Sequence, residues 1–191
     1  MARNKEFDVT ERLGKAKDLF WEKGYNATSM QDLVTAMELN PGSIYGTFGG
    51  KHQLFIESLK MYSKEKLDEY EDAAAAASSP FGSVKAIIQR AVERAFTENK
   101  ACMVVKSSFE LAGVDPDAHR LLKGQTIELI AFLEKLLKLG QITGEVNPKK
   151  DAKVMATFIV SSFAGFWHMQ VLLDDMDISA AISNFLIESL Q

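Results

Sequence analysis

The sequence predicts an all-α protein, on three observations. Apolar residues recur at helical spacing along most of the chain, no stretch keeps the strict alternation of a half-buried strand, and only four prolines interrupt 191 residues. The first helix is expected over about 10–23, where Leu13, Ala16, Leu19 and Phe20 share a face and Gly24 stands where a C′ glycine ends a helix. Thr28-x-x-Gln31 and Ser29-x-x-Asp32 are two overlapping capping boxes, which mark the second helix start. Asn40-Pro41, an N-cap residue with proline at the first helical position, marks the third, and Gly46, Gly49 and Gly50 keep that helix short.

A long fourth helix is expected over about 51–77, carrying Leu54, Phe55, Ser58, Leu59, Tyr62 and Leu67. The alanine run 73–77 and Ser78-Ser79-Pro80 end it. Another helix follows over about 81–98 with Val84, Ile87, Ile88, Ala91, Val92 and Phe96, and another over about 101–112. Asp115-Pro116 caps a long helix through Leu139, with Gly140 as its expected terminator. Asn147-Pro148 is the expected start of a long apolar helix, and a last helix covers about 178–190.

Two short helices joined by a tight turn describe a helix-turn-helix, whose second helix enters the DNA major groove. The residues around them carry a family pattern. Upstream lies Ala16-x-x-Leu19-Phe20-x-x-x-Gly24-Tyr25-x-x-Thr28-Ser29-Met30, and downstream Ile44-Tyr45-x-x-Phe48-x-x-Lys51-x-x-Leu54-Phe55. Over about residues 8–56 the chain resembles the DNA-binding domain of TetR-family transcriptional regulators. The resemblance implies a DNA-binding domain over 1–56, with helix four leading on to about 77, and a ligand-binding and dimerisation domain over 57–191. The second half resembles the family only in the number and length of its helices. The chain departs from the family at Glu38, where a glycine is usual. A left-handed residue other than glycine costs about 1–2 kcal/mol, which predicts a reshaped turn.

Charge is unevenly spread. Residues 1–52 hold seven Lys/Arg against seven Asp/Glu, so the net charge of −4 falls on the remainder. Phosphate affinity must then come from a few placed cations and from helix N-termini, whose amides favour anions. In the expected recognition helix, Asn40, Pro41, Gly42 and Ser43 form the turn that approaches base edges, with Ser43 able to donate or accept. Thr28 and Ser29 suit phosphate oxygens. The resemblance assigns Tyr45 and Lys51 to phosphates, with Thr47 fit for either role. Arg3 and Lys5 are a minor-groove arm or an ordinary solvated terminus.

The single cysteine excludes an intramolecular disulfide and fits a reducing compartment, and no charged-then-apolar leader opens the sequence, so a cytoplasmic protein is expected. Residues 154–173 contain no Asp, Glu, Lys or Arg and are long enough to cross a bilayer. They include Ser161, Ser162, His168 and Gln170 and end in Asp174-Asp175-x-Asp177, the pattern of a helix buried in a core or subunit interface. Small residues at Ser161, Ser162 and Gly165, with Phe158 and with Ile182, Phe185 and Leu186 of the last helix, are expected to form a four-helix homodimer interface. The opposite face is expected to line a cavity for an apolar or aromatic small molecule, with Met103, Phe109, Phe132, Trp167 and His168 as its residues.

Cys102, between Lys100 and Lys106 near a helix start, is a redox candidate or a packed thiol. Gly49-Gly50-Lys51 lacks the glycine spacing of a phosphate-binding loop, and no nucleophile elbow, zinc motif or dinucleotide fingerprint occurs. The three histidines are scattered, so neither metal nor cofactor is expected, and no enzymatic activity. The expected function is a homodimeric, ligand-released repressor acting on an inverted repeat in double-stranded DNA. The alternatives are an all-α small-molecule-binding protein and a membrane-associated sensor without operator binding.

Overall fold

The computed structural model describes residues 7–97 and 100–191; Arg3 and Lys5, and position 98 at the expected end of the fifth helix, lie outside them. Among the described residues there are nine helices and no strand. They are α1 (Val9–Lys23), α2 (Met30–Met37), α3 (Pro41–Phe48), α4 (Lys51–Ala75), α5 (Pro80–Thr97), α6 (Met103–Leu111), α7 (Pro116–Ile142), α8 (Ala152–Leu173) and α9 (Met176–Ser189). The chain divides into two compact units, one of Met1–Glu65 with Met103–Leu122 and the other of Lys66–Cys102 with Lys123–Gln191.

The first unit is built on the apolar faces of its four N-terminal helices. Ala16 and Phe20 of α1, Leu33 and Met37 of α2, Ile44 and Phe48 of α3, and Leu54, Phe55 and Leu59 of α4 are all buried. Phe20 and Phe55 meet edge to face at 5.2 Å between ring centroids, and Tyr25 meets Phe55 at 5.0 Å. Such pairs add stabilisation beyond the area they bury. α1 stops at Gly24, whose φ of 86° favours glycine and whose N–H donates to Phe20 O. α6 turns Met103, Ser107 and Leu111 inward at a spacing of four.

The second unit packs α5 against α8 and α9, and α8 against α9. Its core joins Phe81, Val84, Ile87, Ile88, Ala91 and Val92 of α5 with Leu133 and Leu137 of α7, Ile159, Phe163 and Phe166 of α8, and Leu186 and Ile187 of α9. α8 is long and apolar enough to cross a membrane, but it buries Met155, Ala156, Ile159, Phe163, Phe166 and Trp167 within the protein.

Two sequence expectations are corrected here. Gly140 does not end α7, which continues to Ile142; the left-handed glycine is Gly144, at φ 77°. Gly140 is glycine because a Cβ there would lie 2.7 Å from Val146 Cγ2, so the returning loop needs the space. Asn147-Pro148 forms a turn, and α8 starts at Ala152 with Asp151 as its N-cap, accepting from Val154 N at 2.9 Å.

Candidate nucleic-acid interface

α2 begins at a reciprocal capping box. Ser29 Oγ accepts from Asp32 N at 3.1 Å, and Ser29 N donates to Asp32 Oδ2 at 2.9 Å. Of the two overlapping boxes, this is the one that forms. Thr28 is fully buried and its hydroxyl donates to Gly24 O at 2.6 Å, so it braces the end of α1 and is withdrawn from the phosphate-facing set. Hydrogen bonds from Lys23 and then from Ser29 hold the Asp32 carboxyl far below its ordinary value of 3.8.

A group whose folded-state pKa is depressed stabilises the fold above its unfolded pKa and loses that contribution as pH falls. Asp32→Asn is therefore expected to unfold at lower urea than wild type at neutral pH, with the difference narrowing steadily as pH falls below the ordinary carboxylate range. A gap between the two proteins that stays constant from neutral to acid pH would show that the Asp32 charge is not what stabilises the α2 start.

The turn between α2 and α3 is not reshaped. Glu38 takes the left-handed conformation itself, at φ 53° and ψ 40°. Its carboxylate accepts from Arg12 Nη1 at 2.8 Å and from Lys15 Nζ at 3.0 Å, while the same Arg12 nitrogen reaches Met37 O at 2.9 Å. Arg12 first, then Lys15, keeps that carboxyl below its ordinary range. The side chain that replaces the usual glycine thus ties the turn to α1, through Arg12 and Lys15, which lie 26 and 23 residues away and carry no local sequence signal for this role.

α3 opens on Asn40, whose Oδ1 accepts from Ser43 N at 2.8 Å, with Pro41 at the first helical position. Pro41 and Gly42 are exposed and Ser43 and Thr47 half-buried, while Ile44 and Phe48 point into the core. Tyr45 is 57% exposed. A Cβ on Gly50 would lie 3.0 Å from the Tyr45 ring, so that glycine lets the ring settle on the backbone. Gly49, at φ 80°, closes the helix by donating to Tyr45 O.

Lys51 Nζ lies 4.4 Å over the Tyr25 ring. The other described cations of this region face carboxylates: Arg12 and Lys15 at Glu38, Lys17 at Glu65, Lys23 at Asp32. Among the described residues up to Lys51, that lysine is the one cation with no carboxylate in reach. Ser29, Asn40, Pro41, Gly42, Ser43, Tyr45, Thr47 and Lys51 thus all lie at or beside the starts and outer faces of α2 and α3.

Next to this region, His52 Nε2 lies 2.7 Å from Asp115 Oδ2, and the other oxygen of Asp115 accepts from Asp117 N and Ala118 N at the start of α7. His52, Asp115 and Asp117 offer ligand atoms within 4.8 Å of one another. Asp117 is engaged by Arg120 at 3.2 Å, and the positive end of the α7 dipole opposes a cation there.

The remaining expected site residues divide by helix phase. Phe109 is 85% exposed, because the buried face of α6 runs through Met103, Ser107 and Leu111; it lines no interior cavity. Trp167 is buried and Phe132 packs half-buried against the second unit's core, whereas His168 is exposed, one stripe away from Phe163 and Trp167. Phe158, Ile182 and Phe185 are exposed by 53%, 40% and 72%; Ser161 and Gly165 are exposed and Ser162 is half-buried. Leu186 is withdrawn from the expected dimer surface, since it is 3% exposed and belongs to its own protomer's core. Cys102, a half-buried free thiol, directly precedes α6.

The chain matches two family models, "Bacterial regulatory proteins, tetR family" over residues 13–57 and "Tetracyclin repressor-like, C-terminal domain" over residues 80–186. It is 31% identical over 183 residues to the uncharacterized HTH-type transcriptional regulator YezE of Bacillus subtilis (strain 168), covering 93% of each chain. It is 29% identical over 160 residues to the HTH-type transcriptional repressor ComR of Escherichia coli (strain K12), covering 82% of this chain and 76% of that one. Among solved structures it superimposes on a cysteine mutant of the TetR-family regulator CifR, complexed with 26-bp operator DNA. The TM-score there is 0.84 at 24% identity, with 100% of both chains covered. Two helical units, a capped helix-turn-helix in the first and these matches along nearly the whole chain lead to one conclusion: the protein belongs to the TetR family of DNA-binding transcriptional regulators.

Proposed function

We propose that this protein is a cytoplasmic, homodimeric repressor that binds an inverted-repeat operator through residues 1–56 and is released from it by a small molecule held in residues 57–191. The observation that carries the reading is the composition of the outer face of α3. It presents the exposed Asn40, Pro41 and Gly42 with the half-buried Ser43 in the first turn and the exposed Tyr45 ring, followed by Lys51, the one cation among the described residues up to that point with no carboxylate in reach. In this arrangement the first turn of α3 approaches base edges while Tyr45, Lys51 and the α2 start at Ser29 meet phosphates. No bond is made or broken. The ligand is apolar or aromatic and held near Phe132 and Trp167; binding shifts α4, which begins at the DNA-reading end with Lys51. Reading heads spaced about 34–36 Å apart fit successive major grooves, so a small change in their separation lowers affinity.

Selection of duplexes from a randomised pool tests the reading. Tyr45→Ala and Lys51→Ala are expected to weaken binding to all sequences alike, and Lys51→Ala to lower the salt slope by about 1. Ser43→Ala is expected instead to change base preference at one position in each half-site. A wild-type protein that prefers no duplex over random DNA at physiological salt would end the proposal.

A further inference from the structure

α6 is attached to the DNA-reading unit by charge. The Glu110 carboxylate accepts from two successive main-chain amides of the turn between α1 and α2, Tyr25 N at 3.1 Å and Asn26 N at 2.6 Å. One turn earlier on α6, Lys106 Nζ donates to Glu22 O at 2.8 Å, at the end of α1 where helix carbonyls lack intrahelical partners. Gly24 lies between the two contacts. A Cβ there would come 2.8 Å from Glu110 Oε2 and 3.2 Å from Lys106 Cε, so the glycine that ends α1 also admits α6. A second attachment, His52 to Asp115, lies just beyond α3. The segment 103–122 therefore grips the chain on both sides of the α2–α3 pair.

We propose that Glu110 is a positioning residue for DNA binding: by holding the Tyr25 and Asn26 amides it sets the α1–α2 turn, and with it the starts of α2 and α3 that meet DNA. Asn26 is exposed, so water can satisfy its amide once the carboxylate is gone. The contact is not needed to satisfy a buried donor; what it supplies is a fixed position for a turn four residues before the Ser29 cap.

This inference rests on the assignment of α2 and α3 to DNA, and the test separates the two. A duplex selected by the wild-type protein from a randomised pool and an unselected duplex of equal length are titrated with wild type, Glu110→Gln, Glu110→Ala and Lys51→Ala. All titrations run well below each protein's melting temperature. Glu110→Ala is expected to bind the selected duplex about tenfold more weakly while staying within about twofold on the unselected one. Glu110→Gln, which keeps one carbonyl acceptor, should fall between it and wild type. Amide exchange at Tyr25 and Asn26 should quicken in the same order. The proposal is overturned if Glu110→Ala binds the selected duplex as wild type does, or loses both duplexes equally, as a merely weakened fold would. If Lys51→Ala keeps full affinity for both duplexes, the DNA-facing assignment itself fails, whatever Glu110 does.

Discussion

Gly165→Trp is expected to give a folded monomer that has lost tight operator binding. Gly165 is exposed, and a Cβ built on it meets nothing within 4 Å, so one protomer accommodates the larger side chain without strain. A second copy does not, if the stripe of Val154, Phe158, Ser161 and Gly165 on α8, with Ile182 and Phe185 on α9, faces its symmetry mate in a four-helix interface. Small residues there let helix axes approach, and an indole at the closest point forces them apart. Joining two half-site contacts in one dimer raises affinity by about 10²–10⁴, so operator binding should fall by that order. Light scattering gives the mass, circular dichroism the helix content, and an operator titration the loss. If wild type is already a monomer at micromolar concentration, or if Gly165→Trp remains a dimer, the α8–α9 surface is not the interface.

What could be read from the sequence was local. Asn40-Pro41 and Ser29-x-x-Asp32 start their helices by contacts that span three residues, so the pattern and the physics coincide. Thr28 was ambiguous because its spacing to Gln31 matches a capping box as well as Ser29 to Asp32 does; the choice depends on Thr28 finding Gly24 O behind it. Gly140 and Gly144 show the same limit. Either glycine suits a helix end, but one is required by the approach of Val146 and the other by its own φ.

Helix phase accounts for Phe109, His168 and Leu186. Composition marks an apolar helix, but a residue or two along it moves a side chain by 100–200° around the axis. The Glu110 contacts were out of reach for another reason: they join positions 84 and 85 residues apart, and neither Tyr25 nor Asn26 offers a side-chain signal, since the amides are what bind.

The aromatic cluster of the first unit should decide whether the reading head stays folded. Phe20 is 1% exposed and touches both partners of the cluster, Phe55 edge to face at 5.2 Å and Tyr25 stacked at 6.4 Å. Phe20→Ala removes a ring that α1 and α4 both close upon, and the turn held by Tyr25 loses its packing together with them. The expected cost is about 3–5 kcal/mol, which for a chain of this size lowers the melting temperature by roughly 10 °C. Because the second unit has its own core around Ile87, Leu133 and Ile159, the loss should appear in calorimetry as an early transition that detaches from the main one. DNA binding should vanish across that early transition while the self-association of α8 and α9 persists. Phe185→Ala is the control: its ring is 72% exposed, so it should produce no early transition and weaken self-association instead. A Phe20→Ala protein that melts with wild type would mean that the first unit is held by other contacts, with Phe20 only filling space.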